Sequence, residues 1–164
     1  MLSGTRSLSP ALLVLAIVMA QAAAFGEDKP KKYPEDSPEH QALTAASPFL
    51  GKEDFTLRSD YWRGAVTTRT GTAMRLQFFK GNEYSLFFGA ATGPLPKDSR
   101  LRIHVFDPRE KEVASAKGEP GQAAAVLTFK AKKTDLYLIL LRIEPAGAAD
   151  PEVTVPAVMI YGWE

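Results

Sequence analysis

The chain contains no cysteine, and this single absence removes several kinds of chemistry. Disulfide bonds, thiol nucleophiles, cysteine-based metal sites and bacterial lipid anchoring all need a thiol. We therefore expect the fold to be held by burial and hydrogen bonding alone, which is sufficient for a domain of this size. Among exported proteins, a domain without cysteine favours a bacterial periplasm or exterior over the animal extracellular space.

Histidine is almost as scarce, because His40 and His104 are the only two in 164 residues. Two widely separated imidazoles do not make a zinc site, which needs several converging ligands. His104 lies three positions before Asp107, but residues at that spacing on a strand point to opposite faces. Asp107 also has a sufficient role as the first residue of a turn, because Pro108 follows it. We interpret His104 as a surface or edge-strand side chain.

Other motifs that carry chemistry are missing as well. No serine lies in a G-x-S-x-G motif, no glycine-rich loop is arranged to cradle a phosphate, and the acidic residues do not follow the spacing of a calcium loop. These absences predict a protein that is not an enzyme and that carries no cofactor and no metal. A hydrolase with an unrecognised site is a second alternative, and it requires a serine or aspartate side chain within hydrogen-bond reach of His104.

The first 24 residues are typical of a secretory signal peptide. Arg6 precedes the apolar run ALLVLAIVMA (11–20), and small residues follow, with Ala22 and Ala24 placed for cleavage. The apolar segment is too short for a bilayer, which needs about 20 residues. We predict cleavage after Ala24, a secreted or periplasmic location, and no stable membrane insertion of the mature chain.

Neither sign of charge is in excess. The whole chain has 20 Lys and Arg against 19 Asp and Glu, and removing residues 1–24 removes only Arg6 among them. A nucleic-acid-binding domain would show a basic surplus, so we expect no nucleic-acid partner. The short basic run KAKK (130–133) is interpreted as solvated surface.

Residues 25–52 are predicted to be a Pro-rich flexible linker. Four prolines interrupt any helix in this segment, and charged and polar residues dominate its first half. The segment ends with Phe49 and Leu50, which we expect to form an apolar end able to dock on the following domain.

From residue 53 onward the sequence changes to short runs in which apolar and polar residues alternate. The runs at 73–80 and 84–90 have this period of two, which indicates strands, and the turn signal GNE between them predicts a hairpin. The run at 101–106 is followed by DPREK, which predicts a second hairpin. Further strands are predicted at 60–70, 124–130, 135–143 and in the C-terminal segment VTVPAVMIYGWE.

No apolar stripe with the period of a helix follows residue 53. Short alternating strands separated by Gly, Pro and Asp indicate an antiparallel β-sandwich. The sequence therefore predicts that residues 53–164 form one all-β domain, an antiparallel β-sandwich or jelly-roll-like fold.

Three segments of this domain also resemble a known family. The segments RLQFFKGNEYSLFFGAA, SRLRIHVFDPREKEVAS and AAVLTFKAKKTDLYLILLRI are similar to the bacterial prepeptidase C-terminal domain over about residues 70–143. This sequence departs from that pattern at TDLY (134–137), where a glycine turn is usual, and in its last segment. The resemblance implies a jelly-roll-like sandwich without catalytic residues, of the kind found as accessory modules on secreted hydrolases.

Several strands are apolar on both sides. In a sheet with one face exposed to solvent, the residues on that face should be polar. Two explanations are open: the second apolar face is covered by the linker, loops or strand ends, or it recognises a partner. The candidate binding face consists of six residues from these strands: Phe79, Phe87, His104, Phe106, Leu138 and Leu140.

Tryptophan gives a further candidate. Trp62 and Trp163 are flat aromatic side chains that can stack on a sugar ring, although tryptophans near strand ends more often cap a packed core. The sequence therefore predicts an exported, non-catalytic β-sandwich module for protein interaction or an envelope or extracellular accessory role. A carbohydrate-binding module with Trp62 and Trp163 as its stacking residues is the first alternative.

Overall fold

The computed structural model describes residues 33–147 and 151–164. The predicted signal peptide and the first part of the predicted linker lie outside these residues. The described chain has one helix, α1 (Pro38–Leu50), followed by nine strands. The strands are β1 (Thr56–Leu57), β2 (Trp62–Thr67), β3 (Thr72–Phe78), β4 (Glu83–Ala90), β5 (Arg100–Phe106), β6 (Glu112–Lys117), β7 (Ala124–Lys130), β8 (Asp135–Glu144) and β9 (Thr154–Trp163).

The strands form two antiparallel sheets that pack face to face. The five-stranded sheet has the order β1-β9-β4-β7, with β2 also paired to β9, and the four-stranded sheet has the order β3-β8-β5-β6. The predicted all-β sandwich is therefore confirmed. The predicted strands at 60–70, 73–80, 84–90, 101–106, 124–130 and 135–143 all form.

The predicted pairing is correct for one hairpin and wrong for the other. β5 and β6 pair directly across the turn at Asp107, as expected. β3 and β4 do not pair, because β3 pairs with β8 while β4 pairs with β7 and β9. The short turn between β3 and β4 carries the chain from one sheet to the other. Both strands have an apolar inner face, and the two layers of a sandwich bury such faces against each other.

The core lies between the sheets and consists of the alternating residues that the sequence indicates. Phe78, Leu86, Ile103 and Ile139 are among its fully buried members. Aromatic rings fill the centre, where the centroid of Phe78 lies 4.4 Å from that of Tyr84 and 5.1 Å from that of Phe129. The period-two pattern in the sequence therefore identifies which side of each strand faces the core.

The predicted flexible linker is in part a helix. Over Pro38–Leu50 the structure replaces the expected linker with α1, which begins at the N-cap Ser37, whose side chain accepts a hydrogen bond from the His40 N–H. Pro38 occupies the first turn, where a proline loses no helical hydrogen bond. Pro48 lies near the end, where it cannot donate to the Thr44 carbonyl, and the Ser47 hydroxyl donates to that oxygen instead at 2.8 Å. Two prolines that argue against a helix are thus accommodated.

Helix α1 covers the outer face of the five-stranded sheet. Its Ala42 and Ala46 pack with Phe87, Val158 and Ile160 in a second apolar cluster. The approach is close because β4 has Gly89 there: a Cβ at this position would collide with the Pro38 carbonyl oxygen and lie 2.6 Å from the Ala42 nitrogen. One face of the sandwich is therefore closed by the chain itself.

An ion pair ties the first turn of α1 to the sheet edge. The Glu39 carboxylate is only 4% exposed, and its Oε1 lies 3.0 Å from Nε of Arg63 on β2. The sequence predicts that Phe49 and Leu50 dock on the domain. Phe49 does pack in the second cluster, while Leu50 is 48% exposed. Within the described residues, α1 is neither long nor apolar enough to cross a membrane.

Candidate functional site

His104 and Asp107 do not form a pair, and each has a separate partner. The Asp107 carboxylate accepts hydrogen bonds from the backbone N–H groups of Arg109 and Lys111, at 2.9 and 3.0 Å, so it holds the turn as predicted. The His104 Nδ1 lies 3.3 Å from the Glu112 Oε2 across the hairpin. The His104 Nε2 is buried and has no hydrogen-bond partner within the part of the chain that the structure describes.

Two neighbouring side chains, Ser115 and His104, act on the Glu112 carboxyl group. Hydrogen bonding from the Ser115 side chain, and secondarily from His104, lowers the pKa of the Glu112 carboxyl, while burial acts in the opposite direction. Ser115 is the cross-strand neighbour of His104 on β6. Within the described residues, the hydrogen bond of the His104 imidazole goes to Glu112 and not to a serine side chain.

The outer face of the four-stranded sheet has an apolar strip, which we call the leucine face. Leu138 pairs with Phe106, and Leu140 pairs with His104, so their side chains lie on the same side of the sheet. The His104 and Phe106 rings stack with centroids 6.1 Å apart. Leu136 extends the strip and is 53% exposed. The leucine face thus consists of His104, Phe106, Leu136, Leu138 and Leu140.

Nothing among the described helices and strands packs over the leucine face. Helix α1 lies against β4, β7 and β9, which all belong to the opposite sheet. Phe106, Leu138 and Leu140 are only half-buried, although they lie in the middle of their sheet. A partly exposed apolar strip in the centre of a sheet is a feature of interaction surfaces.

Charged side chains border the leucine face. Arg102 Nη1 lies 2.9 Å from Glu144 Oε1, and Lys117 Nζ lies 3.1 Å from Glu144 Oε2. Burial would raise the pKa of the Glu144 carboxyl, but the hydrogen bonds from Arg102 and Lys117 outweigh it, and the pKa is lowered. The carboxylate therefore stays charged and holds both cations in place at this end of the strip.

Two of the six predicted binding-face residues lie elsewhere. Phe87 is fully buried beneath α1, with its ring centroid 5.0 Å from that of Phe49, so it belongs to a closed surface. This prediction is wrong because α1, which lies within the predicted linker, covers β4. Phe79 lies just after β3 and is 52% exposed, but it borders a separate hollow near the strand end. The remaining four residues come together on the leucine face.

The two tryptophans do not share a surface. Trp163 lines the hollow that also contains Phe79, Tyr161 and Arg58, with a volume of about 180 Å³. Trp62 is not among the residues that line it. Trp62 pairs with Met159, four residues before Trp163 on β9, a separation of about 14 Å along a strand. The structure therefore does not place the two indoles side by side.

The sequence gives little sign of one cavity that the described residues form. It has a volume of about 370 Å³ and lies between the turn after β5 and the turn after β7. Its lining includes Lys130, Lys132 and Lys133 from the run interpreted as solvated surface. Only the lysine run itself could have indicated it, because the sequence does not show that the two turns lie side by side. Within residues 33–147 and 151–164, no three His, Asp or Glu side chains are placed to hold a metal ion.

Comparison with known proteins adds no relative to this description. No protein-family model matches the chain, and no curated protein matches it.

Proposed function

We propose that this chain is an exported, non-catalytic β-sandwich module that binds a protein partner through the leucine face. The single observation that carries this proposal is the difference between the two outer faces of the sandwich. Helix α1 buries the outward apolar residues of one sheet, while on the other sheet Leu136 is exposed and Phe106, Leu138 and Leu140 are only half-buried. Burial of such a strip by a partner is favourable by roughly 25 cal/mol for each Å² of apolar surface.

The side chains of the leucine face favour a protein partner over a glycan. Its side chains are aliphatic leucines around one phenylalanine that is stacked against His104. Aliphatic side chains bury against other apolar side chains, whereas sugar binding depends on open aromatic faces. The predicted signal peptide and the resemblance to the prepeptidase C-terminal domain both support an accessory role outside the cytoplasm.

Cross-linking followed by titration tests the proposal. A photoreactive amino acid at position 138, introduced in the organism that encodes the chain, should give one dominant adduct that is absent when the group is placed at position 50. Leu50 is a suitable control because it is also a leucine and is more exposed than Leu138, but lies at the end of α1, on the other side of the sandwich.

The identified protein is then purified and its affinity is measured by calorimetry. Leu138→Asp should weaken binding about 30-fold or more, because it places a charge in the centre of the buried strip. Leu50→Asp should leave the affinity unchanged. Equal affinities for the two variants, or an equal yield of adducts from positions 138 and 50, would show that the leucine face is not the binding surface.

A further inference from the structure

The cavity between the two turns, which we call the lysine cleft, carries an excess of positive charge. It is lined by five cations, Arg109, Lys111, Lys130, Lys132 and Lys133, against three carboxylates. None of the five forms an ion pair with a carboxylate of the described residues. The chain has nearly equal numbers of acids and bases overall, so this local excess marks one end of the molecule.

The three carboxylates of the cleft are already engaged by other groups. Asp107 accepts the two backbone hydrogen bonds of its turn, and Asp135 accepts one at 2.8 Å from the Leu136 N–H. Glu112 faces His104 at 3.3 Å. Because these acids are directed toward backbone groups and an imidazole, the lysine ammonium groups are left available for an anion from outside.

The cleft is held in shape by its own hydrogen bonds. The Tyr137 hydroxyl donates to the Lys133 carbonyl at 3.0 Å and accepts from the Lys133 N–H at 3.3 Å. Phe129 and Tyr137 are both buried and form the floor. The turn that carries Lys132 and Lys133 is therefore fixed on the core rather than free to move away from a ligand.

The lysine cleft adjoins the leucine face. A smaller hollow of about 240 Å³ is lined by Phe106, Leu136 and Leu138, and it shares Asp107 and Asp135 with the cleft. A chain lying on the leucine face therefore reaches the lysines by passing Asp107, Pro108 and Asp135, which line both hollows. The two surfaces form one continuous path.

We infer that the partner is a protein segment with apolar side chains for the leucine face and a run of acidic side chains for the lysine cleft. This inference rests on the proposed function and adds the chemistry of the partner. A protein segment supplies both kinds of side chain next to each other, whereas nucleic acids and anionic glycans supply charge without aliphatic groups. Electrostatic complementarity of this kind speeds association and selects among partners.

The probe for the test is a fluorescently labelled deca-glutamate peptide, and its binding is followed by anisotropy at about 20 mM salt, where charges are weakly screened. The full chain should bind it, and Lys132→Glu together with Lys133→Glu should reduce the affinity about tenfold. The matched control is Lys52→Glu together with Lys97→Glu, which makes the same change in net charge at exposed lysines away from the cleft. The control should change the affinity less than twofold.

Three results would overturn the inference. They are no binding of the peptide by the full chain, equal weakening by the two double variants, and tighter binding of a DNA oligomer or dextran sulfate of the same charge. Failure of the proposed function is a separate outcome, because it appears as equal affinities of Leu138→Asp and Leu50→Asp for the identified protein. The peptide titration contains no apolar anchor, so it reports on the lysine cleft alone.

Discussion

Replacing Phe87 by alanine is expected to lower the free energy of unfolding by about 3–5 kcal/mol, the cost of emptying a buried phenylalanine site. The side chain is fully buried between β4 and α1, and its ring is edge-on to both Phe49 and Phe55. Removing it leaves a cavity that the helix cannot close, because α1 already lies against the backbone at Gly89. Urea denaturation followed by circular dichroism measures the effect.

Phe79→Ala is the matched control for this prediction. It makes the same chemical change, but the Phe79 side chain is 52% exposed. The hydrogen bond at this position, from its backbone N–H to the Tyr84 hydroxyl, does not depend on the side chain. We expect a loss of about 0.5 kcal/mol or less, as for most exposed positions. If the two variants lost the same free energy, Phe87 would not be buried beneath a helix.

Gly89→Ala is expected to destabilise the protein by about 1–3 kcal/mol, although it adds only one methyl group. The new Cβ would meet the Pro38 carbonyl and the Ala42 nitrogen, which are helix backbone atoms that cannot rotate away. The helix must therefore move off β4, and this exposes the apolar cluster beneath it. We predict lower stability together with stronger binding of a hydrophobic dye such as ANS.

Gly93→Ala provides the comparison for Gly89. A Cβ at Gly93 would have no atom within 4 Å, so the added methyl group meets no obstacle. This variant should unfold like the parent chain and bind no additional dye. Dye binding that rises equally in both variants would mean that α1 does not close the outer face of the five-stranded sheet.

The sequence predicts the strands well because the period-two pattern follows directly from strand geometry. Met74, Leu76 and Phe78 alternate with polar neighbours, and the structure turns them toward the core. Pairing is harder to predict, because every strand of a sandwich offers the same inner pattern to several possible neighbours. The short GNE turn is typical of a hairpin, yet β3 and β4 separate into different sheets after it.

The helix was missed for a local reason. Pro48 predicts a break in a helix, but the Ser47 hydroxyl replaces the hydrogen bond that this proline removes. The N-cap Ser37 followed by Pro38 is a helix start signal that the sequence does contain. Because the helix decides which sheet face is covered, this one error also misplaced Phe87.

The candidate site was only partly predictable. The apolar second faces of β5 and β8 placed His104, Phe106, Leu138 and Leu140 together, since alternation assigns each residue to a side of its strand. The lysine cleft was not predictable, because it depends on the turn after β5 and the turn after β7 lying next to each other. Tertiary juxtaposition of loops leaves no periodic signal in a single sequence.

The most direct test of this account measures how accessible the two outer faces are in the folded chain. The protein has no cysteine, so a single introduced thiol is a unique probe. Leu136→Cys places it on the leucine face, where the native residue is 53% exposed, and Val158→Cys places it beneath α1, where the native residue is fully buried. Labelling by a thiol reagent under native conditions should be fast at position 136. At position 158 it should occur only when the chain unfolds. Equal labelling rates at the two positions would contradict the account.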